Sequence, residues 1–404
     1  MSKSDPILLA FSGGLDTSFC IPWLAETYDR PVITVTVDTG GLDEDARQSL
    51  EARAVGLGAA RHVLVDARQR FFDDVLKYLI YGNVRRGGLY PLCVGAERVL
   101  QAQTMARIAG DLNSGTVAHG CTAAGNDQVR FEVALRTLNP DLEVLAPVRD
   151  NNWTRQQQIA YLRDRNLPAP PGGGAYSINR GLWGVTIGGK ETLDSRESLP
   201  EDAWVLTRNA FESPLPGQRH SLTFSSGVPV ALDDQEMDPV TLIEEIERRA
   251  AGYGIGRGIH LGDTVLGTKG RVAFEAPAAE VILTAHRELE KLTMTGSQLR
   301  IKEPLSTIYG DMLHEGQHLD PACRDIEALL SSSQDRVTGQ VRLLFRSGHV
   351  FVEGAISPHS LLAATKGSYG EAAGEWTAAD ALGFSRVRSL PGMLYTRAGE
   401  GKGT

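Results

Sequence analysis

With 404 residues, 42% of them hydrophobic and 23% charged, the chain has material for two soluble domains with full cores. A net charge of -9 argues against a nucleic-acid partner, because neutralising phosphates needs clustered lysine and arginine. No run approaches the ~20 apolar residues that span a membrane, and no signal-peptide layout opens the chain. Four scattered cysteines without a CxxC pair indicate neither a zinc knuckle nor a disulfide framework, so a reducing cytoplasm is the expected location.

The chain then alternates strand and helix signals. Ile7–Phe11 is a short apolar run ending in Ser-Gly-Gly, and Leu15–Thr27 reads as a helix. Val32–Val37 is a strand signal, Asp43–Val55 an amphipathic helix, His62–Val65 a strand and Phe71–Ile80 a helix. Arg85-Arg86 reads as a solvated loop. Helices are expected at Ala96–Ala109 and Asp127–Leu138, strands at Thr116–Ala118 and Glu143–Ala146. Thr154 and Gln157 have capping-box spacing and open a helix to about Arg165. This pattern predicts an α/β fold, a doubly wound parallel sheet covered on both faces, over residues 1–167.

Pro168–Gly174 reads as a linker, and residues 168–404 as an α+β domain. Helices are expected at Leu242–Ala251, Ala279–Leu292 and Cys323–Ser331. Val341–Phe345 and His349–Val352 flank Arg346-Ser-Gly348 as a hairpin, and Gly399–Thr404 reads as a frayed end.

The strongest local signal is Ala10-Phe11-Ser12-Gly13-Gly14-Leu15-Asp16-Thr17-Ser18, between the first strand and the first helix. Two glycines let the backbone turn and bare its N–H groups, and the helix start is electropositive. Ser12, Thr17 and Ser18 add hydroxyl donors, and Asp16 could anchor magnesium against phosphates. Gly-Gly alone reads better as a polar turn capped by Ser12; the whole nonapeptide favours a phosphate cradle, without the GK[ST] of a Walker loop.

This loop resembles the pyrophosphate-binding loop of the adenine-nucleotide α-hydrolase ATPases, and most closely that of the argininosuccinate synthase family. The resemblance runs from Ile7 to about Tyr395, and its second block is His119–Glu132, containing the string GNDQVRFE. It implies a synthetase domain after the nucleotide-binding one, ATP and Mg2+ as cofactors, and a homotetramer. The implied reaction is AMP-forming: a carbonyl or ureido oxygen of an acceptor attacks the α-phosphorus of ATP and expels pyrophosphate. The amine of L-aspartate then displaces AMP. Carried over residue by residue, ATP falls to the nonapeptide with Val37, His119, Gly120 and Thr122. Aspartate falls to Thr122, Asn126 and Asp127, and the acceptor to Tyr90, Asn126, Arg130, Ser177 and Thr186. Asp16, Asp127 and Arg130 form the implied catalytic set: Asp127 can orient the amine or take its proton, and Arg130 can grip an acceptor carboxylate. His119 either contacts nucleotide or is a strand-end histidine satisfied by backbone, and Cys121 reads as a small buried thiol.

Departures from the family pattern cluster on the acceptor side. Val94 and Gly95 stand for hydroxyl residues, Ala124 for Lys, Asn179 for Asp, Gly188 and Gly262 for Glu, and Phe274 for Tyr. The expectation is an intact adenylation and aspartate half with a rebuilt acceptor pocket that handles citrulline poorly. The alternative is an alignment of residues 254–277 that is off by several residues, with an acid such as Asp263, next to Gly262, filling the role. Sulfur transfer is disfavoured by the missing CxxC pair, ammonia-dependent amidation by the lack of a second nucleophile domain, and a retired nucleotide-binding regulator by the intact loop.

Overall fold

A computed structural model describes residues 5–170, 176–371 and 373–400. It forms two compact units, Met1–Ser357 and Pro358–Thr404.

The first unit opens with a five-stranded parallel sheet: β1 (Ile7–Ala10), β2 (Val32–Asp38), β3 (Arg61–Asp66), β4 (Thr116–Ala118) and β5 (Glu143–Leu145), in the order β3-β2-β1-β4-β5. Successive β1 side chains point to opposite faces. Ile7 and Leu9 therefore pack with Phe19, Ile21 and Leu24 of helix α1 (Leu15–Tyr28), with Leu50 of α2 (Glu44–Gly56), and with Leu162 of the helix that follows Thr154. Leu8 packs the other way, on Val99 and Met105 of α3 (Arg98–Asp111) and on Phe131 and Leu135 of α4 (Asp127–Leu138). Both faces are covered, as the alternating signals predict. Strand order reverses between β1 and β4, which opens a crevice at their carboxyl ends where such sheets bind ligands.

The Thr154 capping box forms, heading α5 (Arg155–Arg163). The helix expected at 71–80 starts earlier, at Arg68, and runs to Tyr81 through a π turn at Phe72–Leu76. Of the expected linker, residues 168–170 carry no regular structure, and 171–175 lie outside the described residues.

Beyond it, strands β6 (Ser177–Gly181) and β7 (Gly184–Gly188) form a hairpin. A five-stranded antiparallel sheet follows from β8 (Gln218–Ser225), β9 (Val228–Leu232), β10 (Gln235–Glu236) and a later hairpin at Gly339–Arg346 and His349–Ile356. Strands β11 (Arg257–Asp263) and β12 (Lys269–Glu275) join β7 and β6 in a four-stranded sheet, order β11-β12-β7-β6. Three helices appear where expected: α6 (Pro239–Ala251), α7 (Pro277–Thr293) and, later, Pro321–Ser332. Between the last two, α8 (Gly296–His314) is an addition to the sequence reading. Pro304 inside it hides the pattern, although Thr295 and Gln298 carry a second capping box.

Arg85 and Arg86 correct the solvated-loop expectation. Each side chain is only 17% exposed; Arg85 pairs with Glu280, and Arg86 with Asp311 and the Asp263 carbonyl. The two arginines thus tie the segment after Tyr81 to α7, α8 and β11. In the second unit, Ala378–Glu400 is a 23-residue helix with no buried residue. Gly399 belongs to that helix rather than to a frayed end, and 401–404 lie outside the described residues. No helix among the described residues is long and apolar enough to cross a membrane.

Candidate active site

The phosphate-cradle sequence lies at the carboxyl end of β1, where the strand order reverses. Ala10 ends the strand, and Phe11 is buried, with its carbonyl accepting from Thr36 Oγ1 at 2.6 Å. Gly13 takes a φ of +75°, and a Cβ there would lie 2.4 Å from Leu50 Cδ2, so the turn requires glycine. Its carbonyl accepts from Arg53 at 2.6 Å, a fastening from α2 that the sequence reading missed. Gly14 is the N-cap of α1 and no side chain caps the helix, contrary to the bland reading of Ser12. The N–H groups of Leu15, Asp16 and Thr17 in the first turn therefore have no intrahelical acceptor. The Ser18 hydroxyl is buried without a partner among the described residues. Bare donors at a 14-residue helix start, with an orphan hydroxyl one turn in, suit a polyphosphate. Asp16 stands partly exposed in that first turn. Among the described residues no group of three or more His, Cys, Asp and Glu side chains could hold a metal by itself.

The second block follows β4, next to β1 in the sheet. A Cβ on Gly120 would lie 3.0–3.1 Å from Thr17 and from the Asp16 carbonyl carbon, so glycine lets the two loops touch. His119 is buried and stacked on Phe131 at 5.6 Å; its Nδ1 accepts from the Cys121 N–H at 3.3 Å, while Nε2 has no partner among the described residues. Burial, then the Arg149 charge, lower its pKa to about 4, so it is neutral. Burial pushes the Cys121 thiol up to about 12, which makes it a poor nucleophile. Thr122 is exposed, and Asn126 Oδ1 accepts from the Val265 N–H at 3.0 Å, tying the helix start to the loop after β11.

Asp127 and Arg130 are not a surface pair. Asp127 Oδ1 accepts from Arg130 at 2.7 Å and Oδ2 from Arg98 Nε at 2.9 Å. Burial alone would raise the Asp127 pKa, but Arg98 and Arg130 outweigh it and bring it to about 2. Arg98, absent from the sequence reading, also pairs with buried Glu97 at 3.1 Å and reaches Asn179 of β6 at 3.4 Å. Arg130 is 7% exposed and held three ways, by Asp127, by the His314 carbonyl at 2.8 Å from Nε and by His314 Nδ1 at 3.1 Å. The free fork expected for gripping an acceptor is thus already engaged on three nitrogens. Gly95, with φ +104°, stands where a Cβ would meet Arg130 at 2.7 Å, which explains the lost hydroxyl there.

Of the remaining acceptor-side residues, Tyr90 is packed against β11 and β12. Its ring is buried, stacked on His260 at 5.4 Å and tilted against Phe274 at 5.2 Å. Its hydroxyl donates to the Val94 carbonyl at 2.9 Å and accepts from the Val94 N–H at 3.2 Å. Thr186 is buried beside Phe274 in the register, while Ser177 is exposed opposite Gly188. A Cβ on Gly262 would fall 2.5 Å from His260 Nε2, so imidazole and a larger residue at 262 exclude each other in this geometry. The Asp263 carboxylate beside it is 60% exposed and pairs with Lys269. Val37 lies in β2, partly buried near the switch point.

Comparison with known proteins accords with this arrangement. Residues 6–168 match the Arginosuccinate synthase N-terminal HUP domain and residues 176–395 the Arginosuccinate synthase C-terminal domain. An argininosuccinate synthase of Xanthomonas campestris pv. campestris is 40% identical over 98% of this chain and 99% of its own. That of Methanocaldococcus jannaschii is 36% identical over 96% and 97%, and that of Methanothermobacter thermautotrophicus 41% over 88% of each. Two adjoining loops at a sheet switch point, one with bare helix-start donors and one carrying the Asp127–Arg130 pair, and full-length similarity lead to one conclusion: the chain belongs to the argininosuccinate synthase family of ATP-dependent carbon–nitrogen ligases.

Proposed function

We propose that the protein joins L-aspartate to citrulline, forming argininosuccinate, AMP and pyrophosphate, in arginine biosynthesis in the cytoplasm. One observation carries this reading: the close approach of Gly120 to Thr17 and Asp16. It sets the phosphate loop and the Thr122–Arg130 segment at one crevice, so the acceptor's oxygen can meet the α-phosphorus while the aspartate amine reaches the carbon that bears it. The bare first-turn donors of α1 and the Ser18 hydroxyl hold the pyrophosphate portion of ATP and stabilise its charge as it leaves. Asp16 would hold magnesium against those phosphates, and the ion would supply further charge neutralisation. Thr122 and the side-chain amide of Asn126 supply neutral donors for the aspartate carboxylates. Asp127, ionised between two arginines, orients the amine more than it takes a proton, since a base of pKa about 2 is weak.

We assign residues 1–167 to nucleotide binding and 168–404 to the synthetase and oligomerisation part of a homotetramer. Incubating the protein with ATP, aspartate and citrulline should yield AMP and pyrophosphate; ADP and orthophosphate would overturn the reading. Full-length relatives named argininosuccinate synthase support citrulline over the rebuilt acceptor pocket expected from sequence. One observation favours the second reading, a carbonyl acceptor without an α-ammonium: Gly262 stands where an acid is expected, and the His260 ring fills the space a side chain there would need. A citrulline KM in the millimolar range or above, beside a better carboxylate-bearing acceptor, would select it.

A further inference from the structure

Glu97 stands at the N-cap of α3, yet its carboxylate accepts no N–H of that helix. The residue is 3% exposed. Oε2 turns back to accept the Gly95 N–H at 2.8 Å, and Oε1 lies 3.1 Å from Arg98 Nη1. A buried carboxylate needs both a counter-charge and hydrogen-bond donors, and these two neighbours supply them.

Arg98 is engaged along its whole fork. Nε donates to Asp127 Oδ2 at 2.9 Å, Nη1 faces Glu97 and donates to Gln101 at 3.1 Å, and Nη2 donates to Asn179 Oδ1 at 3.4 Å. Burial works against the Arg98 charge, but Asp127 and then Glu97 outweigh it and keep the guanidinium protonated. Asp127 in turn accepts from Arg130 at 2.7 Å, so charges of opposite sign alternate along Glu97, Arg98, Asp127 and Arg130. Asn179 holds the place of an aspartate in the family pattern, on the edge strand β6 and opposite Thr186 in the register. Asparagine and aspartate have the same shape. An acid there would set a carboxylate oxygen where Asn179 Oδ1 stands, on Nη2 of the same arginine. With acids at both 97 and 179, three carboxylates would share two arginines; with neither, Arg98 would rest on Asp127 alone.

We propose that Glu97 is a positioning residue of this ligase: it replaces the acid missing at 179 as the second counter-charge of Arg98, and so leaves Asp127 able to accept from the aspartate amine. The proposal rests on the ligase reading, in which Asp127 orients that amine. A guanidinium shared between two carboxylates draws less on each. Without the Glu97 charge, the pull of Arg98 falls on Asp127 Oδ2 while Arg130 already holds Oδ1, and the carboxylate becomes a poorer acceptor for a third donor.

The test exchanges the charge between the two positions. Glu97→Gln keeps an oxygen for the Gly95 N–H and removes the charge; Asn179→Asp returns one to the other side of Arg98. Steady-state AMP formation and the urea midpoint are measured for each variant and for the two combined. Glu97→Gln should lower kcat/KM for aspartate about 10-fold, mostly through kcat, and leave the KM for ATP within about twofold. Its urea midpoint should fall. Adding Asn179→Asp should recover most of both losses, while Asn179→Asp alone should improve on wild type in neither. Unchanged aspartate kinetics in Glu97→Gln, or a double variant no better than the single one, would overturn the role of Glu97 and leave the ligase reading intact. If the wild type forms no AMP, the ligase reading falls, and the midpoints alone judge whether positions 97 and 179 carry the same counter-charge; additive midpoints would then overturn that as well.

Discussion

Asp127 shows how much a single carboxylate can be asked to do. A helical Asp and Arg three residues apart usually form a weak surface pair, worth about 0.2–0.5 kcal/mol. Here Arg98 arrives from α3 and occupies the second oxygen, so the carboxylate is ionised and fixed. Asp127→Asn should therefore abolish most coupling of aspartate and also lower stability, by about 2 kcal/mol, because two largely buried arginines, 14% and 7% exposed, lose their counter-charge. The measurements are AMP formation and the urea midpoint; unchanged stability would mean that Arg98 and Arg130 find other partners. His119 makes a different demand. Its pKa is about 4 in the fold and about 6.5 in an unfolded chain, so between these values only the unfolded state takes up the proton. The stability it contributes is complete above about pH 6.5 and is lost as pH falls toward 4, by up to roughly 3 kcal/mol at ~1.36 kcal/mol per unit. Replacing it in His119→Gln should flatten the stability profile across that window; an unchanged slope would refute the assignment.

At the scale of elements, two loops depend on backbone conformations that side chains resist. Gly95 has φ +104° and abuts Arg130, so Gly95→Ser, which restores a hydroxyl at that position, should not restore function. It should cost about 1–3 kcal/mol of stability and raise the acceptor KM, as seen by denaturant midpoint and steady-state kinetics. Had the hydroxyl been lost by simple drift, the serine variant would gain affinity instead. Helix starts are more forgiving. Thr154 bonds the Gln157 N–H and Gln157 answers the Thr154 N–H, so Thr154→Ala should cost ~1 kcal/mol in thermal or urea unfolding and leave activity unchanged.

At the scale of the whole molecule, the homotetramer of the proposed function can be tested on the C-terminal helix of the second unit. Leu382, Phe384, Val387, Leu390, Leu394 and Tyr395 on it are all exposed, a quantity of apolar surface unusual for a solitary helix in water. Light scattering should return a mass near four times 43.6 kDa for the full chain, and removal of residues 378–404 should lower it. A monomeric full chain would remove the homotetramer from the reading.

The sequence by itself determined the parallel sheet, its helices and the phosphate loop, because these rest on local physics. Period-two and period-3.6 apolar patterns, capping residues and a Gly-Gly turn act within a few neighbours. The long string GNDQVRFE marked the second loop in the same direct way. What escaped it was set by distance along the chain. Pro304 broke the helical pattern of α8, so the element that carries His314 went unread. Arg98 reaches Asp127 across 29 residues, and Arg130 reaches His314 across 184. No spacing rule links such positions. Arg85 and Arg86 read as solvated because a run of charge usually is, and only packing against α7, α8 and β11 supplies their counter-charges. The tertiary structure alone decided which charged groups would lose water together, and in this protein that choice fixes which nitrogens remain free to meet a substrate.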